Sequence, residues 1–309
     1  MAYPNLIIAG APKCGTSSLF RWLADHPQAC GSSVKETFYL MDEGHPLLRP
    51  EANYHEHGLA GYQRFFAHCP ADRPVIFEAT THYIYQQTAL EVLSRFDPLP
   101  QIVFVLRKPS ARVYSSYQYT RNNLANLDKE ISFSRFVEMV RGDADSALLD
   151  AHARASAYVL RNDIRYSRYV EYITPWVERF GRERVHVLLF EEMKRDPRAF
   201  MRHLAAMSGL SPGFYDAYDF PVRNETLNIK GQRLHRRARA FEGLLPAGAL
   251  RQFFKGVYFK LQAGGGRGRE LSAEDNLALA ELEREFHPFN QRLAQELNLD
   301  LSCWERQNG

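Results

Sequence analysis

Apolar residues fall along this chain in two patterns. Short, nearly continuous runs occur at 6–9, 75–77, 101–106 and 185–190, rich in aliphatic and aromatic side chains and broken only by Gln101 and His186. Runs of that kind predict strands buried on both faces of a parallel sheet. Elsewhere the apolar positions recur every three or four residues. After Thr16-Ser17-Ser18 come Leu19, Phe20, Trp22 and Leu23, which predicts a helix ending before His26-Pro27. Residues 111–120 and 197–208 have the same character. Residues 168–180 present Tyr169, Tyr172, Ile173, Trp176, Val177 and Phe180 on one face, with Pro175 predicting a kink or a late start. Ser272 and Asp275 form a capping pair for a C-terminal helix that is expected to reach His287-Pro288. Strands alternating with helices predict an α/β fold: one doubly wound parallel sheet flanked by helices, with a helical C-terminal part, in a single domain over 1–309.

Composition narrows the class. Of 309 residues 45% are hydrophobic and 24% charged, which suits a folded chain and excludes general disorder. A net charge of +3 is compatible with anionic ligands but too small to indicate nucleic acid. Cys14, Cys30, Cys69 and Cys303 show no CxxC or Cys/His spacing, so neither a zinc site nor a disulfide framework is expected. No apolar run reaches the length of a membrane span, and the opening residues lack a basic leader. The expected setting is therefore a reducing cytoplasm, without stable membrane insertion.

The candidate chemistry begins between the first strand and the first helix, at Gly10-Ala11-Pro12-Lys13-Cys14-Gly15-Thr16-Ser17-Ser18. A loop in that position turns backbone N–H groups and a helix N-terminus toward a bound anion. The spacing Gly10-x4-Gly15 matches the start of an ATPase phosphate loop, but Thr16 stands where lysine belongs and the lysine lies inside the loop at Lys13. The strand at 101–106 ends in Arg107, where a magnesium site would want an acid. The protein thus supplies positive charge itself, and no metal is expected.

The segment Pro12-Lys13-Cys14-Gly15-Thr16-Ser17-Ser18-Leu19 resembles the 5′-phosphosulfate loop of sulfotransferases that use 3′-phosphoadenosine-5′-phosphosulfate (PAPS). The likeness is greatest to the heparan sulfate N- and 3-O-sulfotransferase-like group and its bacterial relatives, whose fold is of the P-loop type. The resemblance assigns Lys13 to the oxygen bridging sulfur and phosphate. It assigns Gly15, Thr16, Ser17 and Ser18, with Cys14 in the same loop, to the 5′-phosphate. Arg107 and Ser115, eight residues apart across a strand end and the next helix, match the family's 3′-phosphate motif. Arg267, in a glycine-rich stretch at 262–269, lies where relatives close a Lys-Gly-Arg turn over the nucleotide; here the lysine is missing. Phe286-His287-Pro288-Phe289-Asn290 resembles the close of the family's C-terminal helix.

Transfer of a sulfuryl group needs a base for the acceptor proton. Val34-Lys35-Glu36-Thr37-Phe38-Tyr39 matches the family's Lys-Glu segment, and the resemblance makes Glu36 that base, with Lys35 as a charge partner. Glu78-Ala79-Thr80-Thr81-His82-Tyr83 resembles a second active-site segment, but Ala79 replaces its lysine and Thr81 its proline. That places the heparan-type acceptor chemistry in question and leaves His82 as an alternative base, although a histidine among aromatics is more often a packing residue. The acceptor classes compatible with the chain are a carbohydrate, placed first, a lipid, a carrier-bound acyl chain and a small metabolite. Basic residues at 230–239 would suit an anionic glycan or a solvated helix face. Two other readings stay open: a P-loop kinase acting on a small molecule, and a non-catalytic protein binding 3′-phosphoadenosine-5′-phosphate (PAP).

Overall fold

The computed structural model describes residues 3–124, 126–142, 154–221 and 271–305. The chain divides into two compact units: Met1–Pro109, Arg168–Arg223 and Phe286–Gly309 form one, and Ser110–Ser167 with Asn224–Glu285 the other.

The first unit holds a five-stranded sheet. Its strands are β1 (Leu6–Gly10), β2 (Ala29–Gly31), β3 (Val75–Glu78), β4 (Gln101–Leu106) and β5 (Val185–Leu189), in the order β2-β3-β1-β4-β5 with every neighbouring pair parallel. β1 is buried along its whole length and β4 at all but its first residue, the burial that their unbroken apolar sequences require. Helices α1 (Thr16–Ala24), α2 (Tyr54–Gln63) and α3 (Gln87–Leu93) connect the early strands. Because β1 sits inside the order, with β3 on one side and β4 on the other, the chain reverses its direction of travel across the sheet beside β1. In open parallel sheets ligands bind outside the carboxyl ends of the strands at such a switch point.

The second unit begins with α4 (Pro109–Gln118) and includes α5 (Phe133–Arg141) and α6 (Arg154–Tyr166). Its buried Arg112 donates to Ser167 Oγ at 2.9 Å and pairs with the Asp163 carboxylate at 3.1 Å, so this cation is a structural element. In the first unit, α7 (Tyr169–Phe180) keeps its amphipathic face despite Pro175, burying Tyr169, Ile173, Trp176 and Phe180.

Three expectations need correction. The strand expected at 185–190 stops at Leu189, and Phe190 opens the short helix α8 (Phe190–Arg195), which precedes α9 (Pro197–Met207). The C-terminal helix α10 (Ala273–Leu297) runs past Pro288, although its Ser272 cap is as expected. A proline removes one backbone bond, but Leu293 and Leu297 beyond it are buried in the core, and that packing sustains the helix. Finally, Cys30 and Cys69 form a disulfide across 39 positions, which no local spacing could announce. Arg267 and the basic stretch 230–239 lie outside the described residues.

Candidate active site

Four of the five strands of the first unit hand the chain, at their carboxyl ends, to a segment bearing candidate residues. β1 leads into the loop bearing Lys13, β2 into 32–36 with Glu36, β3 into 79–82, and β4 into Arg107. Parallel strands bring these four segments, distant in sequence, to one edge of the sheet.

The loop after β1 is built for backbone exposure. Ala11 N–H donates to Val105 O at 2.9 Å, anchoring the loop to β4. Lys13 and Gly15 both have positive φ, 71° and 78°. At Gly15 a Cβ would lie 2.2 Å from Met193 Cε and 2.8 Å from the Phe190 ring, so only glycine fits. Gly15 is the N-cap of α1 and supplies no side-chain cap; its carbonyl accepts from Ser18 N–H at 3.1 Å, and the Thr16 and Ser17 amides at the helix start are the ones suited to an anion. Lys13 and Ser17 are half-buried, whereas Thr16 and Ser18 are buried. The Cys14 side chain is fully buried, with its sulfur 3.6 Å from Pro12 O and 3.9 Å from Tyr169 Oη.

Arg107 stacks its guanidinium 4.9 Å over the centre of the Phe190 ring, the same ring that closes on Gly15. Its carbonyl accepts from Tyr169 Oη at 2.9 Å, and the next amide, Lys108 N–H, donates to Glu191 at 3.0 Å. The ring thus brings the phosphate loop and Arg107 together. Ser115 is half-buried on α4, in the other unit.

Glu36 is held from several directions. Its backbone has φ 61°, its N–H donates to Ala79 O at 3.0 Å, and its carbonyl accepts from Arg49 Nη2 at 3.0 Å. Lys35 Nζ forms an ion pair with Oε1. Thr81 donates its N–H to Oε2 at 2.9 Å and lies with its hydroxyl 3.1 and 3.3 Å from the two oxygens. The carboxylate retains 22% side-chain exposure and is accessible from solvent.

Beneath it lies a second carboxyl that is not accessible. Glu78 accepts from Thr37 Oγ1, from Thr80 Oγ1 at 2.5 Å and from Tyr62 Oη. Burial raises its pKa above the ordinary glutamate value, while these hydroxyls and Tyr83 oppose the rise. Burial likewise pushes Tyr62 and Tyr83 well up. The network ties 37–40 to the end of β3 and so fixes the segment carrying Glu36. The His82 ring packs near Phe38, His45 and Tyr85, with centroids 6.3, 6.4 and 6.0 Å away. Of the aromatics at 41–72, Tyr62 and Phe66 are core residues.

Residues 3–218 match the family model described as the sulfotransferase domain. The chain belongs to the sulfotransferase family. It is 24% identical over 220 residues to a bifunctional heparan sulfate N-deacetylase/N-sulfotransferase 1 of Caenorhabditis elegans, a match covering 70% of this chain and 23% of that protein. It is 22% identical to the mouse carbohydrate sulfotransferase 15, over 98% of this chain and 54% of the relative. The chain therefore spans between a quarter and about half the length of these curated relatives. A sulfotransferase from Alicyclobacillus acidocaldarius, solved by crystallography, shares the fold with a TM-score of 0.65 and 22% identity, covering 99% of this chain and 100% of that one. Among the described residues no helix is long and apolar enough to cross a membrane.

In this sulfotransferase family member, Thr81 and Phe190 are the site residues that sequence reasoning missed. Thr81 stood out only as a departure from a proline, yet a proline has no N–H to give the Glu36 carboxylate. Phe190 was hidden at the end of an apolar run. A ring between a glycine at positive φ and an arginine becomes visible only in three dimensions.

Proposed function

We propose that the chain transfers the sulfuryl group of PAPS to a hydroxyl or amine of a carbohydrate acceptor, with Glu36 as base. One observation carries this reading: a solvent-accessible carboxylate, gripped by Thr81 and Lys35, stands at the strand edge that also bears an uncapped phosphate loop and Arg107. The loop fits a phosphosulfate because its glycine has no room for a side chain and its first helical turn has no cap.

When bound, PAPS supplies an activated sulfuryl group whose leaving oxygen belongs to the 5′-phosphate. Lys13 stabilises charge on that oxygen, and the amides and hydroxyls from Gly15 to Ser18 hold the phosphate at the N-terminus of α1. Arg107 takes the 3′-phosphate, and the resemblance adds Ser115 and Arg267 to the groups that hold the nucleotide. As the acceptor oxygen or nitrogen bonds to sulfur and the bridging sulfur–oxygen bond breaks, Glu36 takes the acceptor's proton. Lys35 and Thr81 hold the carboxylate in place. His82, packed among aromatic rings, is the second candidate for the base.

The heparan sulfate and carbohydrate sulfotransferase names of the relatives support a glycan acceptor and rank a lipid, a carrier-bound acyl chain or a small metabolite behind it. The family match over 3–218 and the alignment over 98% of the chain support reading 1–309 as one sulfotransferase domain. A cytoplasmic setting no longer follows from the cysteines, since two of the four are joined.

The test is transfer of label from ³⁵S-PAPS to a panel of glycans by the wild-type chain and by Glu36→Gln. The account expects the variant to bind PAP as the wild type does and to transfer no label. Full transfer by Glu36→Gln removes the base assignment in favour of His82. PAP binding without transfer to any acceptor class favours the adaptor reading, and magnesium-dependent ATP binding favours the kinase.

A further inference from the structure

The disulfide between Cys30 and Cys69 has a third neighbour. Cys30 lies on β2, the outermost strand of the sheet, and Cys69 follows the turn after α2; both are half-buried. The exposed His68 places its Nε2 3.7 Å from Cys30 Sγ and 3.8 Å from Cys69 Sγ. Among the described residues these three form the one cluster of ligating side chains whose donor atoms lie within 4.8 Å of one another. An imidazole nitrogen at nearly the same distance from two sulfurs is an arrangement that suits a thiophilic metal. Zinc binds thiolate at about 2.3 Å and imidazole nitrogen at about 2.0–2.1 Å, so a tetrahedral site sets sulfur and nitrogen roughly 3.6 Å apart. The histidine already stands at that separation from both sulfurs. Only the sulfurs must part, to about 3.8 Å.

We propose that in its dithiol form this cluster is a zinc site, with Cys30, Cys69 and His68 as ligands and water in the fourth position. The conversion balances: a dithiol reductant delivers two electrons and two protons to the disulfide and leaves as its own disulfide, and the two new thiols lose their protons to solvent as they bind the metal. Either state closes the same loop of the chain, across a sequence separation of 39, and that loop contains Lys35, Glu36, Arg49 and Tyr62. Metal and disulfide are then alternative staples for the segment that carries the proposed base, chosen by the redox state of the surroundings.

The test uses the full chain in three preparations: oxidised, reduced with a phosphine that is then removed, and reduced His68→Ala. His68 is exposed, so its replacement does not threaten the fold. Zn²⁺ uptake is measured by equilibrium dialysis, and Co²⁺ serves as a spectroscopic probe through its thiolate charge-transfer band. The proposal expects one tight Zn²⁺ per reduced chain, none on the oxidised chain, and affinity lower by about tenfold or more in His68→Ala. It also expects the cobalt band to vanish in Cys30→Ser, and Zn²⁺ to restore melting temperature lost on reduction. No uptake by the reduced chain, equal uptake by the oxidised chain, or unchanged affinity in His68→Ala overturns it. None of these outcomes depends on sulfuryl transfer, so the site and the proposed reaction stand or fall separately.

Discussion

Replacing Thr81 with valine isolates one grip on the proposed base. The substitution keeps the side chain's shape and leaves the Thr81 N–H bond to Glu36 Oε2 at 2.9 Å in place. It removes the hydroxyl that stands 3.1 and 3.3 Å from the two carboxylate oxygens. A hydrogen bond to a charged group contributes about 1.5–3 kcal/mol. Glu36 is 22% exposed and water replaces part of that contribution, so the lower bound applies. About 1.5 kcal/mol corresponds to roughly a tenfold fall in kcat/KM. The assay is initial-rate ³⁵S transfer at glycan concentrations well below KM, where the rate reports kcat/KM, run with PAP calorimetry and a thermal melt on the same preparations. The expected pattern is a tenfold slower enzyme with unchanged PAP affinity, and Thr81→Ser restored to within about threefold of wild type. Wild-type rates in Thr81→Val would refute the positioning role. Equal defects in the valine and serine variants would refute it as well, because a general packing fault is not rescued by a hydroxyl.

Other perturbations read other parts of the site. Gly15→Ala forces a Cβ against Met193 and Phe190 at a φ of 78°, and is expected to lower stability by about 1–2 kcal/mol and to weaken PAP binding, both measurable by melting and calorimetry. Arg107→Ala removes the guanidinium stacked on Phe190 and should raise the PAP Kd by about tenfold to a hundredfold in calorimetry, with little change in melting temperature. Glu78 has a folded-state pKa above its ordinary 4.5, so its contribution to stability is greatest below that value and is lost as pH rises through the folded pKa. Melting curves across pH should therefore show Glu78→Gln gaining on the wild type as pH rises above 4.5, and a pH-independent gap would contradict the buried, proton-retaining carboxyl.

Much of the frame was legible because burial on two faces leaves a mark that needs no partner to be read. β1 and β4 are unbroken apolar runs, and their ends located Lys13 and Arg107. β2 left no such mark. Ala29-Cys30-Gly31 is a strand only because it pairs in register with Val75, Ile76 and Phe77. α2 was equally silent, since Gly58 interrupts it and its apolar residues do not form one clear face. The apolar run ending at Phe190 gave no sign that the last residue turns away from the strand to cover Gly15. Glu36 could be nominated from its segment, but its grip could not: Thr81 lies 45 positions away and departs from the pattern that found its neighbours. The Cys30–Cys69 pairing is of the same kind, a contact made by the fold with no spacing to betray it.

The central claim is that Lys13's loop and Arg107 grip the two phosphate ends of one adenosine donor by charge that the protein itself supplies. Calorimetry of the full chain with PAP, in the presence of a chelator that removes divalent cations, tests it most directly. The account predicts one PAP bound per chain, undiminished by chelation, with ATP binding far more weakly. Absence of PAP binding, or affinity that appears only when magnesium is restored, would contradict it.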